Sequence, residues 1–503
     1  MSFLTERSEW LQLKAHFQNI EPLSLNQLFA ADPQRSTQFL LKHSGLTLDY
    51  SKNRLNQTTL NLLIALAHAC QFQTHREGLF RGQPLNTPEH SVALHTALRD
   101  EGQEPLYYQG QNIVPQIQAT LTRMETVSRE IREKQWKGAS GAPITDVVNL
   151  GIGGSHLGPQ LACLALQETV SPVKMHFISN IDPFQIEALL ARLDPKSTLF
   201  IVASKSFTTT ETLLNMRIAI EWLKKEAIQK QMIAITAHPA RALEYGISAQ
   251  NVFEIGHWVG GRYSIWSAMG LSLAIAIGFP RFKEFLQGAH ALDRHFQTAP
   301  LHQNMPVILA LIGIWYINFF NARTQAIIPY TERLSELPRY LQQLEMESNG
   351  KSVTKTGRSV DYATSPVLWG SVGTDSQHAF HQLLHQGTHL IPIDFLLIQD
   401  HKTRYETEAQ FLNQNCVSQM HALMTGDPGI DVDHALPGNK PSTLIALDLL
   451  TPFTLGALIS LYEHKVFVQS VIWDLNPFDQ PGVEYGKSLA RHAVASKKEI
   501  LMH

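Results

Sequence analysis

The stretch Ile144-Thr145-Asp146-Val147-Val148-Asn149-Leu150-Gly151-Ile152-Gly153-Gly154-Ser155-His156-Leu157-Gly158-Pro159 decides how the rest of the chain is read. Residues 146–150 form a short Val-rich run, the pattern of a buried strand. It breaks into a glycine-rich turn, and a helical pattern follows Pro159. Glycines let the backbone approach a ligand and a helix start presents free N–H groups, so this turn suits a phosphate or a carboxylate. A turn of this kind also serves merely to join a parallel strand to its helix.

Counting positions excludes the two familiar nucleotide loops. The dinucleotide fingerprint, started at Gly151, needs glycine where His156 stands; the ATP-type loop, started at Gly153, needs lysine where Pro159 stands. A nucleotide-dependent dehydrogenase is therefore disfavoured.

Outward from this stretch, strand-like and helix-like segments alternate. Runs at 173–179, 198–203, 232–236 and 252–255 read as strands of a doubly wound parallel sheet. A charged amphipathic helix at 113–136 leads into it. Beyond it lies a second, more helical α/β unit, with helices at 282–296 and 306–321 and strands at 326–330, 366–369, 391–398 and 443–447. Residues 1–105 read as helices and loops, with a helix at 55–69 and another starting at Thr87, where Thr87 caps and Pro88 fits the first turn. The tail from Val471 ends in a last helix that contains Lys487.

Composition limits what such a chain binds. With 503 residues, 44% of them hydrophobic, it buries a large core in two or three units. Its net charge of -3, with both signs spread along the chain, offers no electrostatic footprint for nucleic acid or an anionic membrane. Any anion must be held locally, so the expected ligand is small. Cys70, Cys163 and Cys416 are too few and too scattered for a disulfide framework, which fits a reducing cytoplasm. The N-terminus carries no apolar export segment, and the nearly uncharged run 306–320 is too short to span a bilayer.

The strongest local chemistry follows the strand at 198–203. Ser204, Lys205, Ser206, Phe207, Thr208, Thr209 and Thr210 place five hydroxyls and one ammonium at a helix start. One hydroxyl is enough to cap a helix; five with a lysine fit a phosphate, which takes hydrogen bonds from hydroxyls, a charge-assisted bond from Lys205 and the positive end of the helix dipole. With Ser155 at the end of a second strand, two turns can converge on one phosphate in the crevice where such sheets bind ligands.

Three further positions carry candidate reaction chemistry. Glu347 closes the helical run 340–347, before Asn349 and Gly350; a helix C-terminus disfavours a carboxylate anion and makes a buried one a better base, with Gln343 four residues back on the same face. His378 is placed in the first turn of a helix starting at Thr374 or Asp375, where the dipole keeps it neutral and able to accept or donate a proton. His378, His381 and His385 share a helical face, but no glutamate of the metalloprotease pattern lies between a histidine pair four apart, so no metal is assigned. Arg262, after Gly260 and Gly261, is a fixed charge where backbone can come close, and it can stabilise an oxyanion.

Together, residues 49–54, 151–159, 204–212, 260–264, 346–351, 377–388 and 478–487 resemble the phosphoglucose isomerase family. Ser206 stands where threonine is usual, Thr210 where glutamine is usual and Ser91 where arginine is usual; Pro477, Pro481 and Tyr485 alter the last motif. The resemblance implies two sugar-isomerase subdomains with parallel or mixed sheets flanked by helices, at 113–275 (small) and 276–470 (large). It adds an N-terminal helical segment at 1–112 packing on the large subdomain and a C-terminal arm at 471–503. It further implies a cytoplasmic homodimer and cofactor-free, metal-free interconversion of glucose 6-phosphate and fructose 6-phosphate through ring opening and a cis-enediolate. Carried over position by position, Gly154, Ser155, Ser204, Lys205, Ser206 and Thr209 hold the phosphate, while Glu347 moves the proton between C1 and C2. Arg262 stabilises the enediolate, His378 from a second subunit opens the ring with Lys487, and Gln343 and Gln480 position the sugar. A non-catalytic sugar-phosphate-binding regulator of the same fold is the alternative; it has no need of Glu347, His378 and Arg262 together.

Overall fold

Valine and leucine runs too short for helices and apolar on both faces make the central strands. β7, for example, is buried at every position from Thr198 to Ala203, as a parallel strand covered by helices on both sides requires. The computed structural model describes residues 3–83, 93–102, 104–167, 171–483, 485–486 and 489. Its strands in chain order are β1 (Leu40–His43), β2 (Leu46–Asp49), β3 (Tyr107–Tyr108), β4 (Gln111–Asn112), β5 (Asp146–Leu150), β6 (Lys174–Ile178), β7 (Thr198–Ala203), β8 (Met232–Thr236) and β9 (Val252–Glu254). They continue with β10 (Thr324–Pro329), β11 (Val367–Trp369), β12 (Ile393–Ile398) and β13 (Ser442–Leu447).

One sheet has the order β6-β5-β7-β8-β9 and is parallel throughout. The chain leaves β5 for β6 on one side, then crosses back to β7 on the other. That reversal makes the carboxyl ends of β5 and β7 a topological switch point, where open α/β sheets leave a crevice. The register Leu150↔Val202 brings both strands to their ends at nearly the same level, so the turns that follow lie side by side.

The other sheet has the order β1-β2-β13-β12-β10-β11; β10 to β13 pair in parallel, and β2 pairs antiparallel with both β13 and β1. The hairpin β1–β2 corrects the reading of residues 1–105 as helices and loops only. Its two-residue turn is Ser44 and Gly45, at φ 51 and 71, the left-handed pair that lets a hairpin follow the sheet twist. Leu46 and Leu48 of β2 are buried against the sheet, which explains why strands of only four residues persist.

The helices run near their expected places: Gln57–Ala69, Val114–Arg132, Phe279–Thr298 and Met305–Asn318. Most of the nearly uncharged run lies in the helix Met305–Asn318, buried from Met305 to Ile317 in the core, and no described helix is long and apolar enough to cross a membrane. One helix that the sequence reading passes over, Pro452–Ile472, is buried at every position but Phe453 and carries Glu463, His464 and Lys465 inside the protein. The helix start expected at Thr87, and with it Ser91, lies outside the described residues, as does Lys487.

Candidate active site

The turn after β5 is shaped by close approach. Gly153 sits at φ 60, and a Cβ there would lie 2.9 Å from Gln343 Nε2; a Cβ on Gly154 would lie 2.0 Å from Gly261 O. Both glycines are needed for segments more than a hundred residues away in sequence to touch this turn. Buried Asn149 donates from Nδ2 to Ser155 O at 3.1 Å and closes the turn from beneath. The short turn Gly153–Ser155 then leads into the helix Leu157–Ala165.

The turn after β7 is knitted from its own hydroxyls. Ser204 Oγ donates to Thr209 Oγ1 at 3.1 Å, and Thr208 Oγ1 donates to Ser206 Oγ at 2.8 Å. Phe207 takes the left-handed φ of 49 in this turn and buries its ring. Lys205 Nζ donates to His257 O and Val259 O, each at 2.8 Å, and burial lowers its pKa from the ordinary lysine value. An ammonium has three donors, so one remains beyond these two contacts. Thr209 immediately precedes the helix Thr210–Leu223, whose N-terminal N–H groups face the same end of the sheet. Arg241, which the sequence reading does not single out, donates from Nη1 to Ser206 O at 2.5 Å and anchors the loop from outside.

Beside these turns lies a charge centre. Glu347 Oε2 accepts from Arg262 Nη1 at 3.1 Å and from Gln343 Nε2 at 3.0 Å. The Arg262 side chain is 2% exposed and the Glu347 side chain 24%, so the guanidinium is sunk and the carboxylate reaches the cleft. Arg262 uses its remaining donors on Ser348 Oγ (2.7 Å), Gln480 Oε1 (3.1 Å), Pro477 O (2.6 Å) and Asp479 O (3.1 Å). A planar fork held on all sides has a fixed aim, which a lysine could not reproduce. Gln343 keeps Oε1 buried without a hydrogen-bond partner among the described residues.

The backbone under Glu347 differs from the α-helix expected there. The segment begins as the helix Leu337–Leu341 and widens into a π-helical stretch, Gln342–Glu347. Such widenings recur at functional sites because they displace one side chain from the regular phase. The dipole argument for Glu347 also changes, since the carboxylate is one half of an ion pair with Arg262 rather than an isolated anion at a helix end.

His378 requires a plainer correction. It follows the last residue of the five-residue helix Gly373–Gln377 rather than lying in a first turn, so the first-turn argument does not apply to it. It is exposed, and among the described residues no hydrogen bond or ion pair joins it to Glu347 or Arg262. His381 and His385 lie on the next helix, His381–Gln386, and both rings meet Gln419 Oε1, at 3.1 and 2.9 Å. Among the described residues no group of three metal-ligating side chains converges.

The structure adds residues to which the sequence assigned no role. Ser348 Oγ takes the Arg262 Nε bond and also meets Tyr263 OH at 3.0 Å; burial pushes the Tyr263 phenol up to about 12. Lys351 Nζ binds Asp479 Oδ1 at 2.7 Å and the carbonyl of Asn476, closing the 476–480 loop over Arg262. The run Glu347-Ser348-Asn349-Gly350-Lys351, dense in hydrogen-bonding groups, was the available signal for both.

Known proteins resemble this chain over nearly its whole length. The family described as Phosphoglucose isomerase matches residues 49–501. A glucose-6-phosphate isomerase from Shewanella baltica is 47% identical over 97% of this chain and 94% of its own length. One from Alteromonas mediterranea is 45% identical, over 98% and 95% respectively. The crystal structure of a glucose-6-phosphate isomerase from Chlamydia trachomatis superposes with a TM-score of 0.90 at 31% identity, covering 99% of this chain and 97% of that one. A hypothetical protein from Thermus thermophilus superposes with a TM-score of 0.66 at 25% identity, covering 86% and 96%.

Proposed function

The chain belongs to the phosphoglucose isomerase family, and from that premise we infer that it interconverts glucose 6-phosphate and fructose 6-phosphate. The observation that carries this reading to the residues is the Glu347–Arg262 pair beside two hydroxyl-bearing turns: a base and a cation for carbon chemistry, next to a seat for a phosphate. An aldose-to-ketose shift needs little more. One carboxylate must reach two adjacent carbons, and one cation must face the oxygen that becomes negative.

In the proposed mechanism Ser155, Ser204, Lys205, Ser206 and Thr209, with the Gly154 backbone, seat the phosphate. The anchored phosphate fixes the distance of C1 and C2 from Glu347. Glu347 takes the proton from C2 of the open-chain aldose, leaving a cis-enediolate whose oxygen charge faces Arg262. It returns the proton to C1, and the hydroxyl proton moves from O2 to O1. Gln343 and Gln480 orient the sugar hydroxyls. Ring opening is assigned to His378 from a second copy of the chain together with Lys487; the exposure of His378, with no hydrogen bond or ion pair to Glu347 among the described residues, supports a shared site in a homodimer. The proposed subdomains, 113–275 and 276–470, each hold one of the two large sheets, with 1–112 supplying β1 and β2 to the second. Free thiols at Cys70, Cys163 and Cys416 fit a cytoplasmic setting.

The test is a coupled assay of fructose 6-phosphate to glucose 6-phosphate on protein exhaustively treated with chelator and given no cofactor. Turnover under those conditions is the expected result. No turnover, or turnover only after a metal is returned, overturns the cofactor-free reading.

A further inference from the structure

Beneath the π-helical stretch lies a buried ion pair that the mechanism above does not use. Lys465 Nζ, on the helix Pro452–Ile472, donates to Glu345 Oε2 at 2.7 Å, with the two side chains 0% and 1% exposed. Lys465 also approaches Gln325 Oε1 at 3.4 Å, and Glu345 Oε1 is buried with no hydrogen-bond partner among the described residues. Burying two charges carries a desolvation penalty that their attraction only partly offsets, and apolar residues of equal volume often serve stability as well or better. A pair of this kind in a core invites a reason other than stability.

Its place in the fold supplies one. Glu345 is two residues before Glu347, and side chains two apart on a helix face away from each other. Glu345 therefore points into the core while Glu347 points to the cleft, and holding one sets the rotation of the other. Two neutral tethers flank it: Gln342 Nε2 donates to Leu368 O at 3.1 Å, and Asn349 Nδ2 donates to Val466 O at 3.1 Å. Val466 is the neighbour of Lys465, so the Pro452–Ile472 helix grips the segment on both sides of Glu347. An uncommon backbone form such as a π-helical stretch persists only where its surroundings specify it.

We propose that Lys465 is a positioning residue for the isomerisation. Its ion pair with Glu345 holds the 342–347 stretch in the phase that brings the Glu347 carboxylate to Arg262 and Gln343. The inference rests on the isomerase reading, and the experiment separates the two, because the parent protein must first turn over fructose 6-phosphate for the variants to be informative; a parent without that activity overturns the isomerase reading instead.

Two variants test it. Lys465→Met/Glu345→Leu replaces the pair by apolar side chains of similar size, and Glu345→Asp keeps the charge but withdraws the carboxylate by one methylene. Misplacing a reacting group by about 1 Å lowers rates by ~10²-fold, so kcat is expected to fall by roughly 10- to 100-fold. KM and inhibition by inorganic phosphate should stay within about twofold of the parent, since the cradle is untouched. Exchange of the substrate C2 proton with solvent should fall by the same factor as kcat. Folded variants that keep the parent kcat overturn the proposal, as do variants that lose kcat and phosphate affinity together. If neither variant folds, the pair is a structural staple and the proposal falls.

Discussion

The proposed phosphate cradle and the Glu347 centre adjoin each other and are built in opposite ways. The cradle comes from two turns of a few residues each, at neighbouring strand ends, with hydroxyls tied mostly to one another over two to five positions. The Glu347 centre joins residues 85 positions apart in Arg262 to Glu347 and 215 apart in Arg262 to Pro477. The cradle is a set of interchangeable donors around one site, so each can be lost at modest cost. The centre is a chain of dependent bonds through one guanidinium, and the loss of a member leaves buried groups unsatisfied. Substitutions in the two regions should therefore differ in both size and kind.

The largest effect is expected at the proposed base. Glu347→Gln keeps shape and hydrogen bonding but cannot accept the proton, so kcat should fall by ~10²- to 10⁴-fold. Inhibition by inorganic phosphate should be unchanged, which makes the variant the sharpest separation of centre from cradle. Parent-rate exchange of the C2 proton in Glu347→Gln would show that another residue is the base.

Arg262→Lys comes next. A lysine keeps the charge but loses the fork, and removing an oxyanion donor lowers kcat by about 10²- to 10³-fold. Because Ser348 Oγ, Pro477 O and Asp479 O lose a buried donor, the melting temperature should drop as well. A large rate loss with no change in melting temperature would break the picture of a centre held by mutual bonds.

Lys205→Ala belongs to the cradle and should read differently. A hydrogen bond to a charged group contributes about 1.5–3 kcal/mol, so inhibition by phosphate should weaken by ~10- to 100-fold, with KM rising alongside. The proton-transfer step should change far less. Thr209→Ala removes a neutral hydroxyl, and the same measurement should show only a shift of a few fold. If Thr209→Ala proved worse than Lys205→Ala, the cradle would be cooperative rather than additive.

The smallest effect concerns the seat of the cradle. His156, directly after Ser155, is buried, with Arg339 adding to the effect, and its pKa is lowered to about 4. The folded value lies below the unfolded one of about 6.5, so the unfolded chain binds more protons between them. Stability is complete above about 6.5 and lost as pH falls toward 4. Melting temperature measured across that window should decline with acid, and less steeply in His156→Gln. An unchanged slope in that variant would assign the acid sensitivity to other buried histidines.

What the sequence by itself determined is local. The apolar runs at β5, β7 and β8 could only be short buried strands, the turn at 151–155 needs glycine for its own backbone, and five hydroxyls with Lys205 mark an anion seat within seven positions. The hairpin β1–β2 was missed, because its strands have four residues each and persist by pairing with the sheet at β13. Only the tertiary structure decided the pairing of Arg262 with Glu347, the π-helical phase of 342–347 and the burial of Lys465 against Glu345, 120 positions away. The physical reason is the range of the forces involved. Backbone geometry and capping are set by residues a few positions apart, whereas the partner of a buried charge is whatever the completed core brings within hydrogen-bond reach, and no spacing along the chain encodes that distance.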